Sequence, residues 1–149
     1  MELARAASDA DRSALTGLLQ EALAGAATMR GGLALVGDAS TDTLLARWTA
    51  PGQAVQLFVG EFEGALVGLA AASAAGSPLR GLIECCYVET GARGVGVGSA
   101  LAELVVRWCA DQGCEEVDAL ALPGDRGTKQ RLEAAGFTAR LLTLSRRLG

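Results

Sequence analysis

Residues 79–122 hold the pattern that most constrains what this chain can fold into. The run LRGLIECCYV (Leu79 to Val88) is apolar on both faces, as a central strand is. It passes through ETGARGVGVG (Glu89 to Gly98) into a segment where Leu101, Leu104, Val105, Trp108 and Cys109 recur at i, i+3, i+4, i+7 and i+8. That period is helical, and Gly113 ends it. EEVDALAL (Glu115 to Leu122) then reads as a second strand. Two strands joined by a crossover helix in one sheet lie parallel, with a right-handed connection. The remaining elements must be arranged around that unit.

On its N-terminal side, ELARAA (Glu2 to Ala7) reads as a short first strand. Ser8 is placed to cap a helix, with Asp9 and Asp11 in the first turn, where the helix dipole favours anions. Leu15, Leu18, Leu19, Ala22 and Leu23 give that helix one apolar stripe, and MRGG (Met29 to Gly32) breaks it. A second helix is expected over Thr41 to Trp48, with Leu44, Leu45 and Trp48 facing inward. AVQLFVGEF (Ala54 to Phe62) and ALVGLAAASA (Ala65 to Ala74) form a hairpin about Glu63-Gly64. Beyond the second parallel strand, Arg126 to Ala135 reads as a short helix stopped by Gly136. FTARLLTLSRR (Phe137 to Arg147) reads as a last strand or hairpin. The expected fold is α/β, an α+β mixed sheet flanked by helices, in one domain over residues 1–149.

Composition narrows the function. Half of the 149 residues are hydrophobic and only 4% aromatic, so the core must come from Leu, Val and Ala. A net charge of −4 with no basic run argues against a nucleic-acid surface. MELARAASDADR carries acids early and has no apolar signal core, and Ala65 to Ala75 is too short to cross a bilayer. A soluble cytoplasmic protein is expected. Histidine is absent, which removes Ser-His-Asp and Cys-His catalysis and most transition-metal sites. Cys109 and Cys114 lack zinc-ligand spacing, and adjacent Cys85 and Cys86 point to opposite faces of a strand, so no metal is expected.

The glycine loop therefore carries the chemistry. A helix N-terminus offers unpaired N–H groups and a partial positive charge, and glycine lets an anion approach the backbone. A P-loop needs lysine and then Ser/Thr after its last glycine; here Ser99 and Ala100 follow Gly98, and the only lysine is Lys129. A dinucleotide loop needs G-x-G-x-x-G, but the sixth position from Gly94 is Ser99 and from Gly96 is Leu101. Arg93-Gly94-Val95-Gly96-Val97-Gly98 instead resembles the R/Q-x-x-G-x-G/A loop of the GNAT family of N-acetyltransferases. The resemblance extends to the strand ending in Tyr87-Val88, to the helix after the loop, to RLEAAGF (Arg131 to Phe137), and to the order of elements over nearly the whole chain.

That resemblance implies the family's fold, in which two parallel strands splay apart to admit acetyl-CoA as acyl donor to an amine. The amides of Gly94, Val95, Gly96, Val97, Gly98 and Ser99 would hold the pyrophosphate, behind Arg93. Tyr87 and Val88 would flank the pantetheine arm, with Val88 pairing its backbone to it. Arg126, Lys129 and Arg131 would be in reach of the 3′-phosphate, although a solvated helix face accounts for them equally well. Pairing through the last strands is common in the family, so a homodimer is one assembly it allows.

Direct acyl transfer needs a base, because an alkyl amine with a pKa of about 10.4 is protonated at neutral pH. Glu84, the only charged residue between Gly81 and Val88, is the first candidate. It shares strand parity with Cys86 and Val88, which would put it in the same cleft; pairing to an arginine on a neighbouring element is the alternative. The family's general-acid tyrosine, four residues before the glycine of Gly-Phe, is Leu132 here, and the usual upstream asparagine is Asp125. Tyr87, the single tyrosine, could act from another direction. The loss of that acid equally fits a domain that binds CoA without turning it over. A cysteine-borne acyl intermediate is disfavoured, since no histidine or adjacent cation lowers a thiol pKa.

Overall fold

The computed structural model describes residues 3–149, apart from the side chain of Ala34. Five strands lie side by side in chain order: β1 (Ala4–Ala6), β2 (Val55–Phe62), β3 (Ala65–Ala75), β4 (Arg80–Val88) and β5 (Glu116–Ala119). The first four pair antiparallel, and β4 pairs with β5 parallel, as the crossover requires. The helices are α1 (Arg12–Ala27), α2 (Gly32–Val36), α3 (Thr41–Thr49), α4 (Val97–Asp111) and α5 (Arg126–Ala134). α2 is a single short helix beyond the expected break after α1.

The sheet separates two apolar clusters. Phe58, Val67, Ala70, Ala72, Ile83 and Val88 pack with Val97, Leu101, Val105 and Cys109 of α4. Val59, Leu69 and Ala71 pack with Leu15, Leu18 and Leu19 of α1 and with Leu45 and Trp48 of α3. Alternation along the strands sends neighbours to opposite faces. Because β3 presents alanine on both faces, helices approach it closely from either side, and Ala70, Ala71 and Ala72 are wholly buried.

Two glycines seat α4. Gly60 and Gly68 are register partners on β2 and β3; a Cβ at Gly60 would run into the Cγ1 of Val97, and one at Gly68 would press on Leu101 Cδ1 at 3.1 Å and Val97 Cγ1 at 3.2 Å. This notch admits Val97 and Leu101 and brings the first turn of α4 against the end of β4. Farther along, Cys109 fills the space that a side chain at Gly81 would take. On the opposite edge, the Asp11 carboxylate is buried. It accepts from Arg5 Nη1 and Nη2 at 2.8 and 3.0 Å and from the Ser8 N–H at 2.8 Å. The Arg5 hydrogen bonds hold its pKa well below the usual carboxylate range.

Three expectations of the fold differ from what is found, and one is the second parallel strand, which covers Glu116–Ala119 and stops short of Leu122. The first strand covers only Ala4–Ala6, and Glu2 lies outside the described residues. No strand forms after Phe137: residues 138–149 carry no regular structure, and Leu141, Leu142, Leu144 and Leu148 are exposed. A strand needs a paired edge and one buried face. Adjacent Leu141 and Leu142 break the alternation, and β5 offers an edge of four residues. The segment is tied there by an ion pair, Arg140 Nη1 to Glu116 Oε2 at 2.9 Å.

Candidate active site

The register of the parallel pair runs only from Arg80–Glu116 to Ile83–Ala119. β4 continues for five more residues with β3 on one side and a gap on the other. The Glu89 N–H donates to Val67 O at 2.9 Å, which makes Gly68–Val88 a non-hydrogen-bonded pair. The Val88 N–H and C=O consequently point away from β3, into the gap. The carbonyl accepts from Arg93 Nε at 3.0 Å, and the Arg93 guanidinium carbon stands 5.7 Å from the centre of the Tyr87 ring.

The first turn of α4 opens beside that gap. Gly94 and Gly96 have φ of +87° and +94°, a region costly for residues with a Cβ. Gly96 caps the helix, and Ala100 is the first residue whose N–H reaches a carbonyl of the turn, Gly96 O at 3.0 Å. The N–H groups of Val97, Gly98 and Ser99 precede that bond and have no partner in the ladder. A cavity of about 350 Å³ lies over them, lined by Val88, Ala92, Arg93, Gly94, Gly96, Gly98, Ser99 and Arg131. Val95 is partly exposed outside it, and Val97 is buried beneath it.

Glu84 and Tyr87 lie on the other side of the sheet. Ala71 pairs with Cys85 and Ala72 with Ile83, so Glu84 is the extra residue of a β-bulge. The bulge overturns the simple parity expectation: Cys86 and Val88 pack toward α4, whereas Glu84 turns toward α3. There it accepts from Arg47 Nη2 at 3.0 Å and from Ser73 Oγ at 3.1 Å. The Tyr87 hydroxyl donates to Glu21 Oε2 of α1 at 3.3 Å. Burial and then the Glu21 carboxylate raise the Tyr87 pKa, so the phenol keeps its proton at neutral pH. Arg47, Ser73 and Glu21 had no mark in the sequence, because the contacts span 37, 11 and 66 residues.

The late helix supplies packing and one cation. Leu132 and Phe137 pack against the α4 cluster, and Asp125 caps α5 by accepting from the Thr128 N–H at 3.2 Å. Lys129 pairs with Glu133 at 2.9 Å, while Arg131 lines the cavity. Burial pushes the Cys85 thiol up to about 12 and also raises Cys86, so neither is a ready nucleophile.

The model of the Acetyltransferase (GNAT) family matches residues 19–137. No curated protein sequence matches the chain. Among solved structures, AAC(6')-Iy in complex with the bisubstrate analog CoA-S-monomethyl-acetylneamine is similar with a TM-score of 0.71 at 20% identity, covering 97% of each chain. Ribosomal-protein-alanine N-acetyltransferase from Brucella melitensis biovar Abortus 2308 gives 0.70 at 16%, covering 97% of this chain and 99% of that one. Glucosamine-6-phosphate N-acetyltransferase from Arabidopsis thaliana gives 0.68 at 18%, with 98% and 97% covered. At these identities the likeness is one of fold.

Proposed function

Since the chain belongs to the acetyltransferase (GNAT) family, we propose that it transfers an acetyl group from acetyl-CoA to a primary amine of a small molecule or peptide. The transfer is by direct attack in a ternary complex. The observation that carries this reading is the adjacency of two unfilled backbone surfaces. The inward-turned N–H of Val88 lies in the gap beyond β5, and the free N–H groups of residues 97–99 lie beside it. Helix N-termini suit phosphate, and a lone strand edge suits an extended amide arm.

Arg93, Gly94, Val95, Gly96, Val97, Gly98 and Ser99 hold the pyrophosphate, through main-chain N–H groups of the loop and the first turn. Val88 contributes its N–H, its carbonyl being already engaged by Arg93. The bound thioester supplies an acyl carbon open to nucleophilic attack. The cradle lies on the α4 side, and the acyl end of the bound donor would pass through the gap toward α1 and α3. Glu84 and Tyr87, both on that second side, are thus on the acceptor's side of the donor. Glu84 takes the proton that the attacking nitrogen loses. Tyr87 returns one to the departing sulfur as the carbon–sulfur bond breaks. A strand-end N–H steadies the oxyanion. Tyr87 also flanks the cofactor arm, stacked beneath Arg93.

Acetyl-CoA mixed with a panel of amines should release free thiol with at least one acceptor. CoA binding without turnover on any of them would leave a CoA-binding domain instead, a reading favoured by Leu132 packing in the core where the family's acid stands. We place the protein in the cytoplasm, where its four unpaired cysteines would persist, with no nucleic-acid or membrane partner and with a homodimer as a further arrangement to test.

A further inference from the structure

The three loop glycines are not glycine for one reason. Gly94 and Gly96 need positive φ, but Gly98 has ordinary helical geometry and is buried. A Cβ at Gly98 would fall on Nη1 of Arg131 and stand 2.8 Å from its Cζ. The Arg131 guanidinium of α5 therefore lies against the first turn of α4, where the missing side chain leaves room. Its Nη2 donates to Thr128 Oγ1 of its own helix at 3.3 Å, and it forms no ion pair with a carboxylate among the described residues. A cation against a helix N-terminus is a like-sign contact, since that end carries about half a positive charge. Two donor groups of the same sign, facing one cavity, are reconciled by an anion that accepts from both.

We propose that Arg131 binds the diphosphate of the acyl-CoA from the α5 side, closing over the main-chain N–H groups of α4, and that Gly98 is glycine to make room for its guanidinium. This rests on the acyl-CoA reading above and adds a side chain to a cradle otherwise made of backbone. The position over the first turn of α4, in the same cavity as Gly94 and Gly96, assigns Arg131 to the diphosphate rather than to the 3′-phosphate.

Calorimetric titration of CoA and of 3′-dephospho-CoA into the wild type, Arg131→Ala, Arg131→Lys, Gly98→Ala and the double variant Gly98→Ala/Arg131→Ala tests this. Loss of a charge-assisted contact should weaken both ligands by about ten- to a hundredfold in Arg131→Ala, with part of the affinity kept in Arg131→Lys. Gly98→Ala should weaken binding alone but add little in the Arg131→Ala background. Melting curves of the ligand-free variants, expected to match the wild type, show that the losses are not unfolding. Equal or tighter CoA binding by Arg131→Ala overturns the assignment. A penalty seen with CoA but absent with dephospho-CoA moves Arg131 to the 3′-phosphate and overturns it too. An equal cost of Gly98→Ala in both backgrounds overturns the role given to Gly98. Failure of the wild type to bind CoA at all is a different result, because it defeats the acyl-CoA reading itself.

Discussion

The two halves of β4 differ in one respect that organises the molecule. From Arg80 to Ile83 the strand is paired on both sides, with Arg80 reaching across β5 to Asp118 at 2.8 Å and Glu116 at 3.2 Å. From Glu84 to Val88 it is paired on one side, bulged, and flanked by a gap and a helix N-terminus. The first half completes the sheet. The second leaves backbone donors unspent beside a cavity, and buried unpaired donors are costly unless something comes to accept from them. Function is assigned to the half where pairing stops.

That contrast can be broken most severely at Gly96. A glutamate there meets both a positive φ and a negative charge in the phosphate seat, so Gly96→Glu should abolish CoA binding. Unchanged affinity would mean the diphosphate sits elsewhere. Next in size, Glu84→Gln should lower turnover by about a hundredfold or more while the CoA dissociation constant stays near that of the wild type. Full activity in that variant would leave Glu84 as a partner of Arg47 only.

Tyr87→Phe should have a smaller effect, about tenfold on turnover, because a thiol with a pKa near 8.5 is already a fair leaving group. The same residue carries a pH signature. Its folded pKa is raised, so the phenol contributes stability that is complete below the unfolded value of about 10 and is lost as pH rises through the folded value. Melting curves above about pH 10 should fall more steeply for the wild type than for Tyr87→Phe, and parallel curves would remove the account of a half-buried phenol held neutral beside Glu21. Smallest of all, Arg80→Ala in the closed half removes exposed, solvent-screened ion pairs and should barely move the melting temperature while leaving CoA binding and turnover alone. A large loss of activity there would blur the division between the halves.

What the sequence disclosed was periodic or local. The stripe from Leu101 to Cys109, the hairpin about Glu63-Gly64 and the parallel pair were legible because one repeat fixes one face. The loop glycines stood out by composition, yet their separate reasons did not, because the partner of Gly98 lies 33 positions away on α5. Glu84 was legible as a lone carboxylate but not as to its side, since a bulge is decided by pairing with β3. The notch of Gly60 and Gly68 did leave a signal: two glycines nearly equidistant from the hairpin turn become neighbours across it. The last strand was not decidable from its own residues, because a strand there needs an edge that the four-residue β5 is too short to provide.

Amide hydrogen exchange of the protein with and without CoA addresses both halves of β4 in one experiment. Protection should rise at Val88 and at residues 96–99, and stay unchanged from Arg80 to Ile83, which is already sealed by β5. Protection that leaves Val88 and the first turn of α4 as they were, or that appears only elsewhere, would contradict the account.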